Sequence, residues 1–194
     1  MTGATDRERD SGQASPLYIF MVVSLLFLAL AFFAVGQAGA TRNGAQSAAD
    51  AAALAAAKES RGQFDLGDLD GPGWADLFDG ELVGENGCEA SHTYAARNGA
   101  SVNGCAELGD GRWGFRVTVR SVKPVGDTIL PGTEGRHAVA TATAVVVPRC
   151  AFEAADDKKA PSPGSLDCEG TELDLDPDDL PDMSDLFEVR LTED

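Results

Sequence analysis

Histidine is scarce in this 194-residue chain, which holds only His92 and His137. Ser91 beside His92 is chain adjacency, whereas a nucleophile–base–carboxylate machinery needs side chains converging from separate elements. With those role-bearing groups missing, the chain is expected to be no enzyme and to take no cofactor. A CxxC pair is also absent, although zinc ribbons and fingers need such short ligand spacings, so no metal centre is expected. Positive charge is in short supply, at 15 Lys and Arg against 32 Asp and Glu, a net −17. That balance argues against nucleic acid or anionic lipid as partner, because both would be repelled. Internal repeats are lacking, and nothing in the pattern calls for a small-molecule substrate.

Long apolar runs are absent with one exception, residues 16–35 (PLYIFMVVSLLFLALAFFAV), which contain no charge. Twenty helical residues rise about 30 Å, the thickness of a bilayer's hydrocarbon core. The lipid bilayer is therefore the first expected partner, and the chain reads as a single-pass membrane protein. Ala38-Gly39-Ala40 has the small-x-small form of a signal-peptidase site. The apolar core is nevertheless longer than a normal h-region, and the following residues continue the same helix, so an uncleaved signal anchor is expected.

All four cysteines, Cys88, Cys105, Cys150 and Cys168, follow the apolar run. An even count on one side of a membrane suits two disulfides in an oxidising compartment. Three connectivities are open; the two shortest loops, Cys88–Cys105 and Cys150–Cys168, are the expected pairing. The arginines flanking the span, Arg7, Arg9 and Arg42, are mixed with acids and orient it weakly. The cysteines orient it instead, with the N-terminus cytoplasmic and the C-terminal domain extracytoplasmic.

The expected organisation is α+β: a cytoplasmic tail (1–15), a transmembrane helix (16–36), its extracytoplasmic extension (37–61), a small domain with an antiparallel sheet (62–152), and an acidic tail (153–194). Residues 37–59 are alanine-rich and strongly helix-forming. Arg42, Gln46 and Asp50 recur every four residues as a thin polar stripe, opposite smooth faces through Ala45, Ala48, Ala49, Ala52, Ala53 and Ala56. Lys58 and Arg61 suit the negative end of the helix dipole, Gly62 is a natural stop, and Asn43-Gly44 is a candidate bend. Residues 64–80, rich in Gly and Asp, read as a surface loop. Asn86 and Glu89 give a capping-box-like start to a short helix ending at Asn98-Gly99.

Residues 102–108 and 112–122, around Gly109-Asp110-Gly111, read as a β-hairpin. Trp113, Phe115, Val117 and Val119 alternate with polar residues and belong on its buried face. Trp74 and Phe78 are assigned to the core with them. Residues 137–147 form the clearest strand. Its alanine face (Ala138, Ala140, Ala142, Ala144) is small enough to let a helix backbone come close, and is expected to pack on the alanine-rich half of the long helix. Residues 123–136, with prolines and glycines, join the strands. From residue 151 onward fifteen acids face three bases, a balance of −12, which reads as a solubilising, partly disordered tail. Phe187, Val189 and Leu191 mark a final strand within it. Asp174, Asp176, Asp178, Asp182 and Asp185 follow an EF-like count. Asp179 replaces its glycine, and Pro177 and Pro181 stiffen the loop, so a solvated acidic segment is expected rather than a calcium site.

The stretch GQASPLYIFMVVSLLFLALAFF, with RNGAQSAADAAALAAAKE after it, resembles the N-terminal region of TadE/TadG-like proteins. These are minor pseudopilins or assembly proteins of the Flp (tight-adherence) pilus, here in a form similar to that of actinobacteria. The resemblance covers residues 12–59, and AQSAADAAALAAA is its most specific part. It departs from processed prepilins in having Leu17, not glutamate, fifth after Gly12. It also lacks the DxSxS-type metal motif of the larger TadG-like members, with their von Willebrand A domain. The resemblance implies a membrane-anchored, pilin-like structural or assembly component, whose partners are other pilin-like or pilus-assembly membrane proteins. Arg42, Gln46 and Asp50 are the candidate subunit contacts. The competing expectation is an anchored extracytoplasmic module that binds an envelope ligand or cation through its acidic end.

Overall fold

Alanine dominates the middle of helix α1, Ala14–Gly62, and the fold is built around that fact. The computed structural model describes residues 14–125, 135–156, 162–168 and 170–193. The expected tail 1–15 and connection 123–136 therefore lie largely outside the described residues. α1 runs without interruption for 49 residues, roughly 73 Å at 1.5 Å per residue, with Asn43-Gly44 inside it. Its two halves meet different surroundings. From Leu17 to Val35 the large apolar side chains are exposed. From Ala45 onward one broad side of the helix is buried, and Ala48, Ala49, Ala52, Ala53 and Ala56 are wholly covered, while Gln46, Ser47, Lys58 and Glu59 stay exposed. At 100° per residue, the buried positions between Ala45 and Ser60 span roughly 200° of the helix circumference. Only methyl-sized side chains permit that, because elements must approach the helix from more than one side.

One approach is the main antiparallel sheet, in the order β1-β2-β3-β7. Its strands are β1 (Ala100–Glu107), β2 (Gly114–Ser121), β3 (Val139–Pro148) and β7 (Phe187–Thr192). Alternation sets the face of β2 as expected, whereas β3 is buried on both faces from Ala142 to Val146. Phe115, Val117 and Val119 are fully buried, and Ala142 and Ala144 join them against the α1 alanines. The hairpin β1–β2 pairs Ala100 with Ser121 through Glu107 with Phe115, with a bulge between Val102 and Gly104. In its turn Asp110 accepts hydrogen bonds from the backbone and guanidinium of Arg112. The guanidinium bond holds the Asp110 carboxyl below the usual carboxylate range.

The other approach is α3 (Cys88–Arg97). Gly87, its N-cap, lies so close to α1 that a Cβ there would stand 2.0 Å from the Ala56 carbonyl oxygen. The expected capping box does not form. Asn86 Oδ1 instead accepts from the Cys88 amide at 2.9 Å, an Asx turn that delivers the chain to the helix. At the far end Gly99 takes φ +70°, the left-handed conformation that closes α3 after Asn98.

Residues 64–80 differ from the loop expected of them. They hold a 3-10 turn, Leu66–Asp68, and helix α2, Gly71–Phe78. Asp70 caps α2 by accepting from the Gly73 amide at 2.9 Å, and Pro72 sits in the first turn, where its missing N–H costs nothing. The described part of 153–194 is likewise built into the domain. Strands β4 (Ala151–Ala154), β5 (Gly164–Cys168) and β6 (Thr171–Asp174) form a second antiparallel sheet, and the helical turn α4, Met183–Leu186, precedes β7. Leu166, Leu175, Leu186 and Phe187 supply fully buried apolar surface, while the acids occupy exposed positions between them. Phe152 stacks on Trp74 and Phe78, which fastens the small sheet to α2. The architecture is the expected α+β one, a long N-terminal helix followed by an antiparallel-sheet domain.

Candidate anchor and assembly surface

The exposed half of α1 is the most apolar surface of the protein. Leu17, Phe20, Phe27, Phe32 and Val35 are 63–76% exposed, and no described element covers this stretch. It is the one helix among the described residues long and apolar enough to cross a membrane. Water would order around a contiguous surface of this size at a cost of tens of kcal/mol, about 25 cal/mol for each Å². Such a surface marks a lipid or protein contact.

The polar stripe follows directly above. Arg42 is exposed one turn before the domain begins. Gln46 Nε2 donates to Asp50 Oδ1 at 2.8 Å and reaches the Thr141 carbonyl oxygen at 3.4 Å. Gln46 and Asp50 therefore line a shallow groove where α1 meets β3 and β7, with Thr141, Thr143, Thr192 and Glu193 on its other wall. The structure brings Gln46 and Asp50 together and leaves Arg42 apart, nearer the apolar half. The stripe's β-strand partners were not evident in the sequence, because the pairing of β7 with β3 is long-range.

The smooth alanine faces are not open to neighbouring subunits. They are enclosed within this chain by the sheet and α3. At the top of α1, Arg61 Nη1 donates to the Phe187 carbonyl at 2.9 Å, and buried Trp113 Nε1 donates to Ser60 Oγ at 2.9 Å. Disulfides join Cys88 to Cys105 and Cys150 to Cys168, bridging α3 to β1 and closing the loop between the start of β4 and the end of β5.

The remaining candidates are dispersed. His92 is exposed on α3, and His137 Nδ1 lies 2.6 Å from the Ser121 carbonyl oxygen. Asp176 accepts from the Asp178 amide and bridges to Asp179, while Asp182 precedes α4. Among the described residues no group of three or more His, Cys, Asp or Glu converges on a common point. An open cleft of about 690 Å³ lies between α2 and the small sheet, beside Trp74, Leu69, Pro163 and Leu180. Its described lining carries no charged side chain.

A spine helix, apolar and bare below and enclosed by an antiparallel sheet above, defines a helix-tethered α+β domain. Residues 12–59 match the family model described as "Putative Flp pilus-assembly TadE/G-like". The match covers the bare half of α1, the polar stripe and nearly all of the enclosed alanine segment. No curated protein matches the chain, and no solved structure does.

Proposed function

We propose that this protein is a single-pass, membrane-anchored, pilin-like component that assists assembly of a Flp/Tad-type pilus or a related secretion apparatus, without enzymatic activity. The observation that carries this reading is the uninterrupted α1. The same helix that offers lipid a 20-residue apolar surface continues as the centre of the domain core, so anchor and domain share one continuous helix. Its action is positional. The anchor holds the domain beside the machinery, with the N-terminus cytoplasmic and the disulfide-bonded domain outside, where an oxidising environment keeps both bridges closed.

Subunit contact falls to the Arg42–Gln46–Asp50 stripe and to the apolar half of α1, since the alanine faces are already enclosed. The full chain is expected to resist alkaline extraction from membranes, and its domain to be cleaved by protease added to intact spheroplasts. Asp50→Lys reverses the charge at the groove without touching the anchor or the core. It should abolish recovery of pilus-assembly proteins in a pulldown while membrane insertion persists. An unchanged pulldown would remove the stripe from the contact surface, and release of the chain by alkaline extraction would refute the anchor.

A further inference from the structure

The charge of the domain is segregated along α1, and one end is basic. Two contacts fix the direction in which β3 runs. Gln46 meets Thr141, while Arg61 meets Phe187, which pairs with Pro148. Gln46 to Arg61 rises about 22 Å along a helix, and Thr141 to Pro148 about 23 Å along a strand. Helix and strand thus run side by side in the same sense, and the start of β3 points towards the apolar half of α1.

That lower end gathers the end of α3, the start of β1, the end of β2 and the start of β3. Ala100 pairs with Ser121, Arg120 with Val139, and the Val125 amide donates to the Arg136 carbonyl at 2.7 Å. It carries Arg42, Arg97, Arg120, Lys123 and Arg136, all exposed. Val122 and Val139 are exposed beside them by 61% and 57%, and Arg97 lies over the Tyr94 ring at 5.3 Å. The acids described near this end are Asp50 and Glu193; Asp127 and Glu134, in the connection, and Asp194, next to Glu193, lie outside the described residues. The hairpin turn, α2 and the Asp176–Asp179 turn place their acids at the opposite end. Among the described residues, exposed bases thus gather at this end, although the net charge of −17 argues against an anionic partner for the chain.

Height decides what meets that rim. If the apolar surface ends at Val35, Gln46 stands about 16 Å higher along the helix. Thr141 is level with it, so Val139 and Arg120 stand about 10 Å above the hydrocarbon, and Val122 a few Å. Headgroups occupy roughly the first 5–7 Å, and an anionic surface is felt for a further Debye length of about 8 Å. The rim lies inside that layer. A second copy anchored in the same membrane would carry its acidic end some 20 Å too high to reach it.

We propose that the basic rim, with Val122 and Val139, docks the domain onto anionic lipid headgroups around its own anchor. This rests on the membrane-anchored reading above. The test uses the full chain in nanodiscs, one copy each, of phosphatidylcholine alone or with about 30% phosphatidylglycerol, a fraction high enough to set a surface potential. Amide hydrogen exchange is read at residues 97–101, 120–125 and 135–139, with the hairpin turn 108–113 as internal reference. Phosphatidylglycerol should slow exchange of the rim at least about fivefold, an effect erased by high salt, and leave the turn unchanged. Arg120→Glu with Arg136→Glu should remove the effect; if that pair misfolds, the salt titration of the native chain decides alone. Equal exchange in both discs would overturn the proposal, as would salt-independent slowing or slowing that appears only on adding a pilus-assembly protein or a second copy. Failure to enter discs of either composition would instead refute the anchor on which the inference rests.

Discussion

Gly87→Ala is the sharpest test of how tightly α3 is pressed onto the spine. The added Cβ would stand 2.0 Å from the Ala56 carbonyl oxygen and 2.8 Å from the Ser60 amide nitrogen, both backbone atoms that cannot rotate aside. Ordinary contact begins near 3.4 Å, so α3 and α1 would have to separate by more than 1 Å. Neither yields readily. Cys88, the next residue, is bonded to Cys105 on β1, and α1 is backed by the sheet. Overpacking of this kind costs about 3 kcal/mol, at the upper end of its usual range. For a domain of this size that lowers the melting temperature by roughly 10 °C. Gly104→Ala is the control, because no atom lies within 4 Å of the Cβ it would add. The assay is near-ultraviolet circular dichroism of the full chain in detergent, disulfides intact, through a thermal ramp. Coincident melts for the two variants would refute the close packing described here.

Other consequences are equally accessible. Ser60→Ala strands the buried Trp113 N–H and should cost about 1–3 kcal/mol, whereas adding Trp113→Phe should recover part of that loss in a denaturant double-mutant cycle. Opening the Cys88–Cys105 bridge with a paired serine replacement, across a sequence separation of 17, should cost about 3 kcal/mol by the same melts. Arg112→Ala should raise the Asp110 pKa towards the ordinary carboxylate value in a ¹³C titration. In the native chain that pKa is depressed, so its small stabilisation is present above the unfolded-state value and is lost as pH falls through the folded-state one. A titration curve unmoved by Arg112→Ala would show that the hairpin turn is held otherwise.

Where a residue's own pattern carried its environment, the chain could be read directly. The alanine segment and the alternation in β2 display the face they bury, whereas β3 is buried on both faces from Ala142 to Val146 and, of the run Phe187-Val189-Leu191, Leu191 stays exposed. Residues 64–80 could not be read so simply, because Gly, Asp and Pro serve turns and helix starts alike. The usable signal was narrower: Asp70 as a cap, Pro72 in the first turn, then Trp74, Leu77 and Phe78 at helical spacing. The acidic segment hid its folding for a related reason. Its acids dominate the composition, yet scattered apolar residues, Leu166, Leu175, Met183, Leu186 and Phe187, are what the core takes from it. The polar stripe was legible as a stripe, but its placement against Thr141 and the end of β7 depends on strand pairing across the whole length of the domain.

The side-by-side course of α1 and β3 has a mechanical meaning. A pull applied to the anchor enters the domain along the axis of its strands. The ladders joining β3 to β2 and β7 are then loaded in shear, many hydrogen bonds at once, not peeled one pair at a time. A domain tethered this way resists a pull along its spine better than a pull across its strands.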